Sequence, residues 1–285
     1  MTNTTAVKGW RLEGIVTRDV AGGELVAIHK HGIGVPIIFL HGNSSCKEVF
    51  RDLWRILLSR GNELVACDLP GHGASKNAAD PQARYTLPGY AEAVTELLDW
   101  GGWQRAILLG WSLGGHIALE TMIADSRVTA CMVIGSPPGK PSVEALEDGF
   151  NDDSVTRLAF QEYFSCADAS RYVEAMLGTA SPDPFFVEMA LRTDGRARKR
   201  LLESVAEGLG HDQRRACSQP SRPTCVLVGE TDPFLRHDCF RVLDARTMWK
   251  GKVHVLPGRG HAPHWNPSRE FLEIVEAFVI DAGEC

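Results

Sequence analysis

The chain has 285 residues, a formal net charge of −6 at pH 7, 44% hydrophobic residues and 23% charged residues. These proportions are ordinary for a globular enzyme, and the acidic balance argues against nucleic-acid binding, which needs a basic face. One basic run, at residues 196–200, is typical of the solvated face of a helix. The length fits one α/β unit that carries an insertion.

The eight cysteines are dispersed and include no C-x-x-C pair. Several lie inside apolar runs, where a free thiol behaves as a small hydrophobic group, so neither a zinc site nor a disulfide framework is predicted. Residues 1–9 are polar and lack the apolar core of a signal peptide. No apolar stretch reaches the ~18 residues that span a bilayer. We therefore expect a cytoplasmic protein without a membrane partner.

Apolar strand-like runs alternate with amphipathic helical segments along the chain. In chain order, the pattern predicts strands at residues 11–17, 25–29, 35–40, 63–67, 105–109, 128–134, 224–228 and 252–256. Helices are predicted at residues 47–59, 90–100, 113–124, 235–246 and 269–280. This alternation indicates an α/β protein with a mostly parallel, eight-stranded sheet flanked by helices.

The alternation stops between residues 137 and 220, where several helices joined by polar turns are predicted and no apolar strand appears. Such an insertion lies above the carboxyl ends of the strands and typically acts as a lid over the site. We therefore predict a core made of residues 1–136 and 221–285, and a helical lid made of residues 137–220.

The motif GWSLGG at residues 110–115 directly follows a predicted strand and directly precedes a predicted helix. This is the context of the nucleophile elbow of the α/β-hydrolase fold, in which a serine sits on a strained turn between small residues. The helix that begins at Leu113 points its amide groups at the serine and favours negative charge there. Ser112 is therefore the predicted nucleophile.

A serine hydroxyl needs a base to accept its proton, and the base needs an acid to orient it. In this fold the chain order is nucleophile, acid, histidine. Asp232 follows the predicted strand 224–228, and His261 follows the last predicted strand, so both lie at the same edge of the sheet as Ser112. These three residues form the predicted catalytic triad.

Other residues compete for the same roles. Glu230 lies close to a strand end, Asp238 falls within a predicted helix, and His264 is more typical of a surface or substrate-lining histidine. Three further histidines are interpreted structurally: His41, His72 and His116, the last as an interior histidine.

The oxyanion of the tetrahedral intermediate needs two donors already in place. The backbone N–H of Leu113, the residue after the nucleophile, is one candidate. The loop after the strand 35–40 provides the other, because Gly42 lets the chain turn so that the Asn43 N–H faces the serine.

A metal-dependent mechanism is not predicted, and no cofactor is expected. The sequence His29-Lys30-His31 puts two histidines on one strand face, but a metal site needs at least one more ligand. No dinucleotide-binding or phosphate-binding glycine loop is present.

The sequence resembles the metal-independent N-acyl-homoserine lactonases of the α/β-hydrolase superfamily over almost its whole length. The matching stretches lie at residues 41–45, 68–73, 110–117, 192–198, 249–252 and 260–263. The resemblance implies that Ser112 attacks the lactone carbonyl and that water then releases an N-acyl-homoserine. It also implies that Asn43 and Tyr172 lie near the lactone. The family can carry glutamate where this chain has Asp232, and aspartate serves the same role.

We further expect Trp111, beside the nucleophile, to contact substrate. Apolar lid residues are candidates for lining an acyl tunnel, although most of them would simply pack the lid onto the core: Phe160, Tyr163, Phe164, Tyr172, Met176, Phe185, Phe186 and Met189.

Two other functions remain open from the residues alone. The same triad serves carboxylesterases and hydrolases of carbon–carbon bonds next to a carbonyl, and a non-turnover ligand receptor could retain it. The expected partner is a small ester or lactone. The sequence leaves open whether the chain is a monomer or a dimer.

Overall fold

The computed structural model describes residues 17–20, 24–219, 221–241 and 243–284, and eight strands in these ranges form one sheet. The spatial order is β1-β2-β4-β3-β5-β6-β7-β8. β1 pairs antiparallel with β2, and β2 with β4, whereas all other pairs are parallel. The strands are β1 Thr17–Val20, β2 Leu25–Lys30, β3 Ile33–Leu40, β4 Asn62–Asp68, β5 Ala106–Trp111, β6 Val128–Ile134, β7 Thr224–Gly229 and β8 His254–Leu256.

The central strands are buried on both faces because helices cover the sheet. Every residue of β5 and β7 is buried, which explains their continuous apolar sequences. The helices are α1 Arg51–Ser59, α2 Pro81–Arg84, α3 Leu87–Gly101, α4 Leu113–Ala124, α5 Val143–Gly149, α6 Cys166–Leu177, α7 Pro184–Arg192, α8 Gly195–Ala206, α9 Arg214–Cys217 and α10 Arg269–Glu284. None of the helices in the described ranges is long and apolar enough to cross a membrane.

Most predicted elements occur within a few residues of the expected bounds. The helix at 113–124 and the strand at 128–134 have the predicted limits. The predicted strand at 11–17 lies outside the described residues except for Thr17, where β1 begins. The segment predicted as one helix at 47–59 begins as a 3₁₀ turn at Lys47–Phe50 and continues as α1.

The helix predicted at 235–246 is wrong. The described residues of this segment, 235–241 and 243–246, form no α-helix; two short 3₁₀ turns lie here, His237–Phe240 and Ala245–Thr247. Just before them, the Asn151 N–H donates to the Phe234 carbonyl at 2.8 Å, and the Arg236 N–H donates to the Gly149 carbonyl at 3.0 Å. The backbone therefore pairs with a distant segment, and this tertiary pairing overrides the local apolar pattern.

The inserted segment, residues 137–220, lies between β6 and β7, which are neighbours in the sheet. It holds α5 to α9 and a 3₁₀ turn at Thr156–Phe160, and its described residues form no strand. Strong N-terminal caps define several of its helices. For example, Ser165 and Asp168 form a reciprocal capping box at the start of α6.

The basic run on α8 is solvated only in part: Arg196 and Lys199 are exposed, as predicted, whereas Arg198 and Arg200 are buried. Arg198 is only 2% exposed, and its guanidinium donates to the carbonyls of Gln161 at 2.6 Å and Glu162 at 2.9 Å. It also donates to the Ser44 hydroxyl of the core at 3.1 Å and lies over the Phe164 ring. Arg198 therefore satisfies carbonyls of the inserted segment and joins that segment to the core.

Candidate active site

Ser112 lies between β5 and α4 with φ = 53° and ψ = −119°, a left-handed conformation that is strained for a serine. Its neighbours must be small at this turn. A Cβ atom added to Gly110 would come within 2.2 Å of the Gly114 carbonyl oxygen, and one on Gly114 within 2.0 Å of the Leu40 carbonyl oxygen. The turn therefore has the geometry of the elbow predicted from the sequence.

Hydrogen bonds hold this strained turn in place. The Ser112 N–H donates to the Ile134 carbonyl at 2.8 Å, which ties the turn to the end of β6. The Ser136 hydroxyl donates to the Ser112 carbonyl at 2.7 Å. The surrounding structure thus fixes the conformation that presents the serine side chain.

Asp232 and His261 come together at the same edge of the sheet. The carboxylate oxygen Oδ2 of Asp232 lies 2.7 Å from Nδ1 of His261, and both side chains are almost fully buried. The other carboxylate oxygen accepts the Phe234 N–H at 2.9 Å. An acceptor at Nδ1 favours the tautomer whose Nε2 is free to accept a proton.

The competing acids are engaged elsewhere. Glu230 accepts the Gly258 N–H at 2.8 Å, and Asp238 pairs with Arg241 at 3.1 Å on the surface. Among the described carboxylates, Asp232 is thus the one with a hydrogen bond to His261.

A cavity of about 590 Å³ lies beside the elbow. Ser112, Leu113 and His261 line it from the core, together with Asn43. Much of the remaining wall is apolar and includes residues of the inserted segment: Leu146, Phe150, Phe160, Tyr172, Leu201 and Val205. The nucleophile and the predicted base therefore face one shared space with an apolar lining, as small-molecule sites usually have.

Both residues of the predicted oxyanion hole, Leu113 and Asn43, line the cavity. Leu113 is the first residue of α4, and the N–H groups of the first helical turn have no partner within the helix. The Asn43 side chain lines the cavity, and its amide donates to the Ala159 carbonyl of the inserted segment at 2.6 Å. The Asn43 side chain therefore also bridges the core and the inserted segment.

Tyr172 lines the cavity from α6 and is 4% exposed. Its ring packs against Phe234 with centroids 5.8 Å apart, and Phe234 in turn packs against His261 at 4.7 Å. Burial raises the pKa of the Tyr172 hydroxyl, so it remains a neutral donor. Of the eight apolar residues considered as tunnel candidates, Phe160 and Tyr172 line the cavity, whereas Tyr163 is largely exposed.

Trp111 does not line the cavity, so the structure does not support its predicted contact with substrate. Its side chain is fully buried behind the elbow, and its indole N–H donates to the His261 carbonyl at 2.8 Å. Trp111 is the last residue of β5, in which every residue is buried. Trp111 thus supports the backbone of the histidine loop.

Two further histidines, His116 and His264, lie near the elbow. His116 lines the cavity, and its Nδ1 lies 2.8 Å from the Gln213 side-chain oxygen. His264 is fully buried against Trp111 and Phe50, and neither ring nitrogen has a partner among the described residues. The prediction that His264 lies at the surface or lines the substrate site is therefore wrong, whereas His116 is hydrogen-bonded as expected of an interior histidine and also lines the cavity.

Buried histidines make the stability of the fold sensitive to acid. Burial lowers the pKa of His72 and of His264 to about 3, so both are neutral in the folded chain near neutral pH. In the unfolded chain they bind protons below about pH 6.5, so stability is complete above that pH and falls as the pH drops towards 3. We expect the free energy of unfolding in urea to fall by about 1.4 kcal/mol per histidine between pH 7.5 and pH 5.5.

In the variant His72→Asn, the free energy of unfolding should fall by about 1.4 kcal/mol less between pH 7.5 and pH 5.5 than in the original chain. An unchanged free energy of unfolding across the same pH range in the original chain would contradict the expectation.

Comparisons with known proteins agree with this geometry. A family model described as "Alpha/beta hydrolase family" matches residues 37–274. A 2-hydroxymuconate semialdehyde hydrolase of Pseudomonas sp. (strain CF600) is 30% identical over 272 residues, covering 92% of this chain and 93% of that protein. A pimeloyl-[acyl-carrier protein] methyl ester esterase of Aeromonas hydrophila subsp. hydrophila is 27% identical over 266 residues, covering 89% and 99%.

A similar solved structure is that of the N-acyl homoserine lactonase AidH complexed with N-butanoyl homoserine. It superposes with a TM-score of 0.85 at 33% sequence identity and covers 90% of this chain and 93% of that chain.

Proposed function

Since the chain belongs to the alpha/beta hydrolase family, we propose that it is a serine hydrolase that opens the lactone ring of N-acyl-homoserine lactones. The observation that carries the proposal is the arrangement of Ser112 and His261 around one cavity, with Asp232 hydrogen-bonded to the far side of the imidazole. This is the arrangement needed to activate a serine hydroxyl as a nucleophile.

In the proposed first step, the Ser112 oxygen attacks the lactone carbonyl carbon and the hydroxyl proton passes to His261 Nε2. The ring C–O bond then breaks, and the ring oxygen takes that proton and becomes the hydroxyl of the opened homoserine. Asp232 stabilises the imidazolium that forms between these two transfers. The product of this step is an ester between Ser112 and the acyl-homoserine.

In the second step, water gives a proton to His261 and attacks this ester. The bond to Ser112 breaks, the proton returns to the serine oxygen, and N-acyl-homoserine leaves. In both steps the oxyanion would accept hydrogen bonds from the backbone N–H groups of Leu113 and Asn43, and each such donor is worth about 3 kcal/mol of transition-state stabilisation.

The cavity suits a polar head joined to an apolar chain. Ser112 and Asn43 supply polar groups to its lining, whereas Phe150, Phe160 and Leu201 supply apolar surface for an acyl chain. We propose that the inserted segment acts as a lid over this chain. The 33% identity to the AidH lactonase over 90% of the chain supports this choice of substrate.

The alternative is an esterase or a hydrolase of carbon–carbon bonds with the same triad. It is supported by the relatives at 27% and 30% identity, which are a methyl ester esterase and a 2-hydroxymuconate semialdehyde hydrolase. Each of these reactions includes an attack on a carbonyl carbon, so the triad alone does not discriminate between the substrates and the shape of the cavity has to do so.

A substrate panel tests the proposal directly. We expect the purified chain to hydrolyse N-acyl-homoserine lactones of varied acyl length, with a product one water heavier by mass, and to retain this activity in EDTA. Aryl esters, methyl esters and a ring-cleavage ketone are the matched competitors, and Ser112→Ala is the blank. Efficient cleavage of a competitor with negligible lactone turnover would overturn the lactonase proposal, and a single turnover without recycling would favour a receptor.

A further inference from the structure

A cluster of side chains that can ligate a metal lies near the amino end of β4, whereas the catalytic residues follow the carboxyl ends of the parallel strands. His29 is in β2, His31 follows that strand, and Glu63 is near the start of β4. Their ligating atoms all lie within 4.8 Å of one another, and no other group of three such residues forms in the described ranges. Asp68 ends β4 on the catalytic side, about 17 Å along the strand from Glu63.

The pairing of the strands brings the three residues together. β2 and β4 are antiparallel, with His29 opposite Val65 and Lys30 opposite Leu64. One step further, the same register puts His31 opposite Glu63. Because alternate residues of a strand share a face, His29 and His31 lie on the same side as this carboxylate.

Gly32 permits the close approach of this turn to β4. A Cβ atom at this position would lie 2.2 Å from the Asn62 carbonyl oxygen and 2.4 Å from the Glu63 nitrogen. Any other residue would push the turn, and His31 with it, away from the carboxylate. The absence of a side chain at Gly32 thus lets the two histidines lie close to Glu63.

The carboxylate is already oriented. Glu63 Oε1 lies 2.9 Å from His29 Nε2 and accepts the Trp103 indole N–H at 3.1 Å. The His29 ring also packs edge-on against Trp103, with centroids 5.2 Å apart. A hydrogen bond to a ligating carboxylate and a packed imidazole are features that strengthen metal sites in proteins.

We propose that His29, His31 and Glu63 form a binding site for a divalent transition-metal ion of the zinc and nickel class. Two imidazoles and one carboxylate are the donor set that such ions accept, with water in the remaining positions. A tetrahedral zinc ion with bonds of about 2.1 Å holds its ligands about 3.4 Å apart, so small side-chain rotations close the site. His31 is exposed and its ring lies 4.1 Å from that of His29.

Binding replaces the contact between His29 and Glu63 by bonds to the ion. A neutral imidazole binds through Nε2 while its single proton sits on Nδ1, so bonds from His29 Nε2 and Glu63 to the ion replace the contact between these two side chains. Because His29 and Glu63 belong to neighbouring strands, the ion cross-links β2 to β4 and stabilises the folded chain. The site lies away from Ser112, so its effect is on stability and not on turnover.

The test uses the full chain without an affinity tag, stripped with EDTA and titrated calorimetrically with Zn²⁺ alone and with Ni²⁺ alone. We expect one ion per chain and a rise in Tm of roughly 5 °C at a free ion concentration of about one hundred times Kd. His31→Ala and Glu63→Gln should each weaken binding by about tenfold or more. Since His31 is exposed, its alanine variant should fold and keep the original hydrolase activity.

Two variants serve as matched controls. His211 pairs with Glu120 at 2.7 Å but has no second histidine in the described structure, so His211→Gln should bind the ion as the original chain does. His261→Ala should also retain binding, which separates the site from the triad. No saturable binding, equal binding by His31→Ala, or loss of binding in His261→Ala would overturn the proposal.

Discussion

Replacing Ser112 by alanine is expected to lower kcat by about 10⁴- to 10⁶-fold while the chain stays folded. The reason is that the elbow presents one hydroxyl to the cavity beside His261, and alanine removes the atom that forms the acyl-enzyme. The change deletes a single oxygen and leaves the backbone turn, which the hydrogen bonds to Ile134 and from Ser136 hold in place. Steady-state turnover of the best substrate in the panel gives the measurement.

Labelling with a fluorophosphonate probe checks the same prediction independently of substrate choice. The original chain should be labelled once, at Ser112, and the alanine variant should not be labelled. The exposed residue Ser154 provides a control, since Ser154→Ala should be labelled and should turn over substrate as before. Labelling that survives in Ser112→Ala would assign the nucleophile to another residue.

Replacing Asp232 by asparagine is expected to lower kcat by about 10⁴-fold with little change in stability. The carboxylate lies 2.7 Å from His261 Nδ1 and accepts a hydrogen bond from it. An asparagine amide can donate to Nδ1 instead. The imidazole then carries its own proton on Nε2, so Nε2 cannot accept the proton of Ser112. The pair is buried, so no solvent molecule replaces the lost acceptor.

The neighbouring acids supply matched controls for this change. Glu230→Gln keeps an oxygen that accepts the Gly258 N–H, and Asp238→Asn removes a charge from the exposed pair with Arg241. Both variants should retain kcat within about twofold because neither carboxylate has a hydrogen bond to His261, although Asp238 lines the cavity and Glu230 does not. A loss in Glu230→Gln as large as that in Asp232→Asn would reassign the orienting acid.

The order of the elements was predictable because it rests on local signals. Buried strands give continuous apolar runs, and the turn at Ser112 has a glycine pattern that sterics require. The family model that matches residues 37–274 confirms the α/β-hydrolase fold expected from these signals. The order of Ser112, Asp232 and His261 along the chain predicted residues that the structure brings to one edge of the sheet.

What the sequence did not reveal depends on contacts between distant segments. Arg198 looked solvated among other basic residues, yet it is buried because carbonyls of Gln161 and Glu162 receive its guanidinium. The segment after Asp232 had helical spacing but pairs with residues 149–151. Similarly, Glu63 is the third group that the proposed metal site needs, and the register of β2 on β4 brings it near the two histidines.

The position of the triad along the chain has a consequence for synthesis. Ser112 and its elbow belong to the first half, whereas Asp232 and His261 follow β7 and β8, which are the last two strands of the sheet. A nascent chain emerges with its amino-terminal part first, so the proposed nucleophile is made long before its proposed base and acid. Under the proposed mechanism the Ser112 hydroxyl therefore has no base on the ribosome until β7 and β8 have joined the sheet, and we expect hydrolase activity to appear only when the sheet is complete.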